Sequence, residues 1–188
     1  KKGGIKAHVL LRAKDNVPAL VNLTEGIGGD ASFLPKINLP KGSIVVMDKA
    51  YRNFKQYRRW TEAGITWITR LHERTVYGIE RERSLKKTDE QAGVIKDLVI
   101  KLGNPRTRYI NALQLVRLIT FTDVNNNREL QFITNNMHLS AQSVAELYKK
   151  RWQIESFFKR IKQNFQLHFF LGDNENAIRI QVWCALIA

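Results

Sequence analysis

Residues Gly42 to Met47, GSIVVM, form a continuous apolar run that ends at an acid, Asp48. Such a run has the length and composition of a strand that is buried on both faces of a sheet. A helical pattern follows from Asn53 to Ala63 and ends at Gly64, and Ile65 to Leu71 is a second strand-like run. Strand, helix and strand in this order predict an α/β sheet.

The residues before this run predict a hairpin and a short helix. Ile5 to Ala13 and Val17 to Thr24 are rich in β-forming residues and are joined at Lys14-Asp15-Asn16, which favours a hairpin turn. Asp30 is a favourable N-cap for a short helix that extends to about Ile37.

The residues after the α/β segment have a different texture. No helical pattern is evident between residues 72 and 138, and turn-forming residues such as Asp89-Glu90 separate four strand-like segments. The four segments are Tyr77–Ser84, Val94–Leu102, Leu113–Thr122 and Glu129–Thr134. We therefore predict an all-β insertion in this part of the chain.

A single long helix is predicted from Ser140 to about Phe165. At about 100° per residue, four polar or aromatic positions fall within one arc of roughly 60°, beside an apolar stripe. They are Tyr148, Arg151, Glu155 and Lys162. A carboxylate between cations is suited to hold a divalent metal against phosphate, because Arg and Lys bind the phosphate oxygens on either side. The alternative is a solvated face with ordinary ion pairs such as Arg151–Glu155.

Asp48 favours the first of these alternatives. An Asp at the carboxyl end of an apolar strand lies where open α/β sheets place ligands. Together with Glu155 on a helix beside the sheet, it can hold metal ions that activate a water or a 3′-hydroxyl at phosphorus. A turn or capping role in Met47-Asp48-Lys49-Ala50-Tyr51 is the competing interpretation.

The composition of the chain indicates the class of molecule that it binds. The 188 residues carry 31 Lys and Arg against 17 Asp and Glu, a formal net charge of +14. Such a surplus favours a polyanionic partner, of which nucleic acid is the commonest. A single cysteine, Cys184, excludes an internal disulfide framework. No apolar run approaches the roughly 20 residues that span a bilayer, so we expect a soluble protein.

Two motifs in this sequence resemble those of a known family. Tyr148, Arg151, Glu155 and Lys162 follow the spacing Tyr, two residues, Arg, three residues, Glu, six residues, Lys. The run Ile44 to Met47 followed by Asp48-Lys49-Ala50-Tyr51 matches an apolar strand with its acid and tyrosine. The chain thereby resembles the DDE transposases of bacterial insertion sequences, in the subgroup with a Tyr-Arg-Glu-Lys signature.

The resemblance implies an α/β fold with a ribonuclease-H-like core, a mixed sheet flanked by helices, interrupted by an all-β insertion. Residues 1–71 would form the first part of the core, 72–138 the insertion, and 139–188 the second part with the truncated final helix. Asp48 would be the second catalytic acid and Glu155 the third, and both would bind Mg²⁺, with Mn²⁺ as a substitute.

The resemblance also implies the partners. Tyr148, Arg151 and Lys162 would hold phosphates of the element's terminal DNA, and the protein would cut transposon ends and join the 3′-hydroxyl to target DNA. Family members generally act as homodimers on paired ends, in the bacterial cytoplasm at the nucleoid. We also expect DNA contacts from Lys49 and Tyr51 next to Asp48, and from Arg70 and Arg74 just past a strand end.

The first catalytic Asp of the family would lie upstream of Lys1, on the strand before the one that starts at Gly4. The segment Ala177 to Ala188 is helical in character and too apolar for a helix without a covering partner. We therefore expect the chain to be a fragment of a longer protein and unable to cleave DNA by itself.

Two other function classes remain open. One is a non-catalytic nucleic-acid-binding protein, such as a decayed or domesticated transposase. The other is a dinucleotide-binding domain, because Gly26 to Ala31 has the pattern G-x-G-x-x-A and Asp48 follows Gly28 by 20 residues. A hairpin before the glycines and a negative charge at Asp30 argue against that domain.

The cations on the helix after Asp48 either contact the DNA backbone or form a solvated face. They are Arg52, Lys55, Arg58 and Arg59. His8 alternates with apolar residues on a strand, so we expect it to be a packed or edge residue and not a ligand. The other three histidines, His72, His138 and His168, have no partners at metal-ligand spacing.

Overall fold

The computed structural model describes residues 5–26, 29–103, 115–123, 127–164, 172 and 174–187. It divides the chain into two compact units. The terminal unit combines residues 1–29 with 150–188, and the central unit comprises residues 30–149. Asp48 therefore belongs to the central unit and Glu155 to the terminal unit.

The terminal unit begins with the predicted hairpin. Strand β1, Ile5–Arg12, pairs antiparallel with β2, Val17–Glu25. Asn16 in the turn has φ 58, a left-handed conformation that Asn tolerates better than most residues. Because β2 returns along β1, it does not open the βαβ unit that a dinucleotide site requires. Ile27 and Gly28 of the glycine pattern lie outside the described residues.

The central unit begins with a 3-10 helix, Asp30–Lys36, where the sequence predicted a short helix. It contains a six-stranded mixed sheet. Its strand order is β3-β4-β8-β7-β6-β5, with β3 and β4 parallel and the other neighbours antiparallel. The strands are β3 Ile44–Met47, β4 Thr66–Arg70, β5 Tyr77–Glu82, β6 Val94–Leu102, β7 Leu115–Asp123 and β8 Arg128–Thr134. All six correspond to predicted strands, although Leu113 of the third predicted insertion strand lies outside the described residues.

Helix α1, Phe54–Glu62, connects β3 to β4 as predicted. Asn53 caps it, because its side-chain oxygen accepts the Gln56 N–H at 3.0 Å. Beyond the helix end, Gly64 has φ +71, a conformation in which a side chain would be strained. Tyr57 of α1 stacks on Trp67 of β4, with ring centroids 4.5 Å apart, so α1 packs on the face of the sheet that Trp67 presents.

The opposite face of the sheet is covered by helix α3, Ala141–Lys149. Val144 and Tyr148 of this helix belong to one buried cluster with Ile68 of β4 and Phe132 of β8. Successive side chains of a strand point to opposite faces, so Trp67 and Ile68 direct α1 and α3 to the two sides. The prediction of an α/β fold, with a mixed sheet flanked by helices, is therefore confirmed, and it is consistent with a ribonuclease-H-like core.

The four strands predicted as an insertion continue the sheet that β3 and β4 begin. Strand β8 pairs antiparallel with β4, through Thr69 opposite Ile133 and its neighbours. The boundaries at residues 71/72 and 138/139 thus fall within or beside a continuous sheet, and the division into core and insertion stays a prediction.

The prediction that residues 72–138 contain no helix is wrong at one place. A short helix, α2, spans Lys87–Gln91 and includes the predicted turn at Asp89-Glu90. Asp89 is buried and its Oδ1 accepts the Gln142 N–H at the start of α3, at 2.9 Å. Because this cap joins residues 53 positions apart, a local sequence pattern does not reveal it.

The single long helix predicted from Ser140 to Phe165 is also wrong, because the chain breaks it in two. Helix α3 ends at Lys149 and helix α4 spans Trp152–Asn164, while Phe165 lies outside the described residues. Three consecutive cations, Lys149 to Arg151, lie at the break, where positive charge interacts favourably with the last carbonyls of α3.

The last described helix is α5, Glu175–Ile187. Asn174 caps it by accepting the Ala177 N–H at 2.8 Å. Ala185 is buried, whereas Ile180, Trp183 and Ile187 are exposed. No helix among the described residues is both long and apolar enough to cross a bilayer.

A buried ion pair joins the middle strands of the sheet. Arg117 of β7 donates from Nε and Nη2 to the two carboxylate oxygens of Asp97 on β6, at 2.7 and 2.6 Å. Only 2% of Arg117 and 3% of Asp97 are exposed. Arg117 and Arg83 also donate to the carbonyls of Leu139 and Met137, so the network holds the segment that leads into α3.

We predict that Asp97→Ala lowers the free energy of unfolding by about 3–5 kcal/mol, because it leaves a buried guanidinium without a counter-charge. Glu62→Ala is the control, since it breaks an exposed pair with Arg58 and is expected to cost less than about 1 kcal/mol. Urea unfolding followed by circular dichroism measures both values. Equal losses for the two variants would contradict the structural importance of the network.

Candidate functional site

Asp48 directly follows β3, at the edge where the parallel strands β3 and β4 end. Its Oδ1 accepts the Ala50 N–H at 3.1 Å, and its backbone carbonyl accepts the Tyr51 N–H at 3.1 Å. These two bonds hold the residues after β3 in a tight turn. One carboxylate oxygen is thereby oriented, in a side chain that is half-buried at the sheet edge.

Tyr51 lies in the same turn and is half-buried. Burial, with smaller contributions from the charges of Asp30 and Asp48, raises the pKa of Tyr51 to about 12. The phenol therefore keeps its proton at neutral pH and remains a hydrogen-bond donor. The Tyr51 carbonyl accepts the Tyr57 hydroxyl at 2.8 Å, which ties the turn to helix α1.

Beside this turn is a depression that we call the basic cleft. It lies between the start of α1 and the end of β4 and includes three cations, Lys49, Arg52 and Arg70. Its lining consists of Lys49, Arg52, Phe54, Tyr57, Thr69, Arg70, His72, Thr75 and Ile133. These cations come from segments that flank the end of the parallel strand pair, and they give the cleft a positive lining that attracts anions.

One cleft cation has an internal partner. Lys49 Nζ donates to Glu73 Oε1 at 2.5 Å. This hydrogen bond is the largest of several effects that lower the pKa of Glu73 to about 2. By contrast, no hydrogen bond or ion pair of the Arg52 or Arg70 side chain is found within the described part of the chain.

His72 and Arg74 complete this segment. Nδ1 of His72 accepts the backbone N–H of Arg74 at 3.1 Å, which places the ring hydrogen of the neutral imidazole on Nε2. His72 is then a donor in the lining of the basic cleft. The Arg74 side chain is exposed and does not belong to that lining, so its DNA contact stays a prediction.

Glu155 lies in the first turn of α4 and its side chain is exposed. Arg151, immediately before the helix, donates from Nη2 to Glu155 Oε1 at 2.8 Å. Lys162 is exposed two turns further along and shares a helical face with Glu155, because seven residues correspond to nearly two complete turns. The terminal unit therefore brings three members of the signature together: Arg151, Glu155 and Lys162.

The fourth member, Tyr148, belongs to the central unit. It belongs to α3, is 4% exposed, and its ring is tilted against Phe132 with centroids 4.7 Å apart. The prediction that all four residues share one helical arc is wrong, because it assumed that the helix continues through Lys150 and Arg151. The DNA contact expected of Tyr148 remains a prediction.

The donor chemistry of the two acids suits a hard divalent cation, which prefers carboxylate oxygens. Asp48 is half-buried at a sheet edge and Glu155 is exposed beside Arg151. Among the described residues, no three His, Cys, Asp or Glu side chains form a candidate metal cluster. The expectation that Asp48 and Glu155 bind a metal stays a prediction.

The sequence does not identify two residues at the basic cleft, His72 and Glu73, and it leaves the role of Arg52 open. One signal could have indicated them. Parallel strands that are joined by one helix end at the same sheet edge, so residues just after β4 lie near those just after β3. The Lys49–Glu73 contact itself has no local sequence signal.

Comparison with known proteins gives consistent results. The family model described as "Transposase DDE domain" matches residues 1–188. A putative transposase, y4zB, of Sinorhizobium fredii (strain NBRC 101917 / NGR234) is 29% identical over 186 residues, which cover 98% of this chain and 51% of that protein.

Two further relatives belong to named insertion sequences. The probable transposase for element IS5377 of Geobacillus stearothermophilus is 26% identical over 189 residues, covering 100% of this chain and 48% of that protein. The putative transposase for element IS4SA of Synechocystis sp. (strain ATCC 27184 / PCC 6803 / Kazusa) is 26% identical over 156 residues, covering 79% and 40%. The chain thus spans about half the length of these relatives.

We predict that Lys49→Gln moves the pKa of Glu73 from about 2 toward the ordinary value of 4.5. A carboxyl whose pKa is lowered by folding stabilises the protein above its unfolded pKa, and this contribution disappears as the pH falls toward 2. A ¹³C NMR titration of the glutamate side chains measures the shift. The Glu62 titration serves as the control, and an unchanged Glu73 midpoint in the variant would contradict the contact.

Proposed function

The chain belongs to the DDE transposase family, and we propose that it forms part of a catalytic domain that cuts insertion-sequence ends and transfers the 3′-hydroxyl strand to target DNA. The observation that carries this proposal is an acid, Asp48, held at the end of a parallel strand pair directly beside a basic cleft. Open α/β sheets bind their ligands at this position.

We propose that Asp48 and Glu155 hold Mg²⁺, for which Mn²⁺ can substitute. When bound, such ions activate a water or a 3′-hydroxyl and stabilise the leaving oxygen at phosphorus. The chain's own contribution is orientation: the Ala50 N–H fixes one oxygen of Asp48, and Arg151 holds one oxygen of Glu155.

The DNA backbone is the proposed partner of the cations. Lys49 and Arg70 line the basic cleft beside Asp48, whereas Arg151 and Lys162 flank Glu155. Arg74 and the proton-bearing phenol of Tyr51, which lies in the turn after Asp48, are further proposed donors to the DNA backbone. Tyr148 belongs to the proposed set because of its place in the signature. We propose that two copies act together on paired element ends.

We predict that Asp48→Asn and Glu155→Gln each weaken Mn²⁺ binding at least tenfold, because each removes an anionic ligand. Glu62→Gln, an exposed carboxylate paired with Arg58, serves as the control and leaves binding unchanged. Electron paramagnetic resonance of free Mn²⁺ measures the affinity without requiring activity.

Equal Mn²⁺ binding by both variants and the unsubstituted chain would contradict the metal assignment. Nicking of terminal DNA with Mg²⁺ or Mn²⁺ that survives Asp48→Ala would do the same. DNA binding without any metal binding would favour the non-catalytic nucleic-acid-binding protein instead.

We predict that Arg70→Gln weakens binding to a DNA duplex to a similar extent for different sequences, because a phosphate contact carries no sequence information. The slope of log affinity against log salt concentration should become shallower by about 0.9. Fluorescence anisotropy at salt concentrations from about 50 to about 200 mM gives the affinity and its salt dependence. Arg58→Gln, outside the cleft, is the control, and identical behaviour of the two variants would contradict the prediction.

A further inference from the structure

The cations of the basic cleft are not equivalent in the free protein. Lys49 contacts Glu73, whereas the side chains of Arg52 and Arg70 make no ion pair within the described residues. Glu73 is therefore a carboxylate in contact with a cation that the proposed function assigns to DNA phosphate. A carboxylate and a phosphate compete for the same ammonium group, since both bind it through anionic oxygens.

The backbone around Glu73 is held on both sides. The Leu71 N–H donates to the Gln131 carbonyl at 2.8 Å, and the Thr75 N–H donates to the His72 carbonyl at 2.9 Å. Beyond the turn, the Gly103 N–H donates to the Val76 carbonyl at 2.8 Å. The Glu73 side chain itself is 68% exposed, so it can leave Lys49 by rotating into solvent while the turn stays in place.

The strength of the pair suits displacement. An exposed ion pair of this kind contributes little, on the order of two- to fivefold in an equilibrium constant. A DNA phosphate reaching the cleft meets Arg52 and Arg70 as well as Lys49, so it can outcompete a single carboxylate. Glu73 then weakens DNA binding by a limited factor, because its contact with Lys49 must be broken first.

We infer that Glu73 is an internal competitor of the DNA phosphate: it occupies Lys49 in the free protein and is displaced when a phosphodiester enters the basic cleft. The phosphate is then held by Lys49, Arg52 and Arg70, with the Nε2–H of His72 as a further donor. This inference rests on the proposed function. It adds Arg52 and His72 as phosphate contacts and gives Glu73 a regulatory role.

The chain offers a matched control for this inference. Arg58 and Glu62 form an exposed pair at 2.8 Å outside the basic cleft, and Glu62→Gln changes the net charge by the same amount as Glu73→Gln. Any general effect of an added positive charge on DNA affinity is therefore common to both variants. Only the difference in DNA affinity between Glu73→Gln and Glu62→Gln therefore measures the effect of Glu73 on the basic cleft.

Fluorescence anisotropy with a labelled DNA duplex gives the affinities of the unsubstituted chain, Glu73→Gln and Glu62→Gln. We expect Glu73→Gln to bind two- to fivefold more tightly than Glu62→Gln. The difference in affinity should disappear when Glu73→Gln and Glu62→Gln are each combined with Lys49→Gln, because Glu73 then has no lysine to contact at position 49. Circular dichroism verifies that these surface variants fold.

Each outcome decides one question. Equal affinities for Glu73→Gln and Glu62→Gln, or an excess that persists without Lys49, would overturn the inference while leaving DNA binding intact. Absence of DNA binding by the unsubstituted chain would instead overturn the proposed function. Arg52→Gln compared with Arg58→Gln tests whether Arg52 contacts the phosphate, since equal losses of affinity would exclude that contact.

Discussion

The parallel pairing of β3 with β4 is the constraint on which the central unit's site depends. Ile44 lies opposite Thr66 and Met47 opposite Thr69, so both strands end at one edge. Asp48 and Arg70 reach the same place for this reason, although 22 positions separate them in the sequence. The connecting helix reinforces the arrangement, because the Tyr57 hydroxyl bonds the Tyr51 carbonyl in the turn after Asp48.

A buried ion pair fixes the register between the neighbouring strands β6 and β7. Arg117 and Asp97 meet on adjacent strands with both guanidinium–carboxylate bonds formed in a buried position. A slip of one residue would turn one of them to the other face and leave two buried charges apart. The pair therefore specifies register more than it adds stability, since breaking one half is costly whereas two apolar residues can replace the whole.

Local patterns in the sequence predicted the strands and α1 because each depends on its own residues: the apolar run before Asp48, the cap at Asn53, the glycine at position 64. The break after Lys149 escaped prediction, since no Gly or Pro marks it and the residues on its two sides belong to different compact units. Helix α2 escaped because its five residues are too few to produce a helical pattern in the sequence. At the site, the sequence identified the motif around Asp48. It did not identify the full lining of the cleft, because that lining depends on the pairing of strands that are distant in the sequence.

Net charge and local charge have separate consequences for a DNA-binding surface. The surplus of +14 acts through the field of the whole chain, which salt screens over a Debye length of about 8 Å at physiological ionic strength. Contact affinity depends instead on the cations that reach phosphate without first losing a partner. All four cations contribute equally to the net charge. Arg58 and Lys49 are each paired with a carboxylate, whereas Arg52 and Arg70 make no such pair among the described residues. The placement of acids beside particular cations, more than the total number of cations, therefore determines which cations are available to an anionic partner.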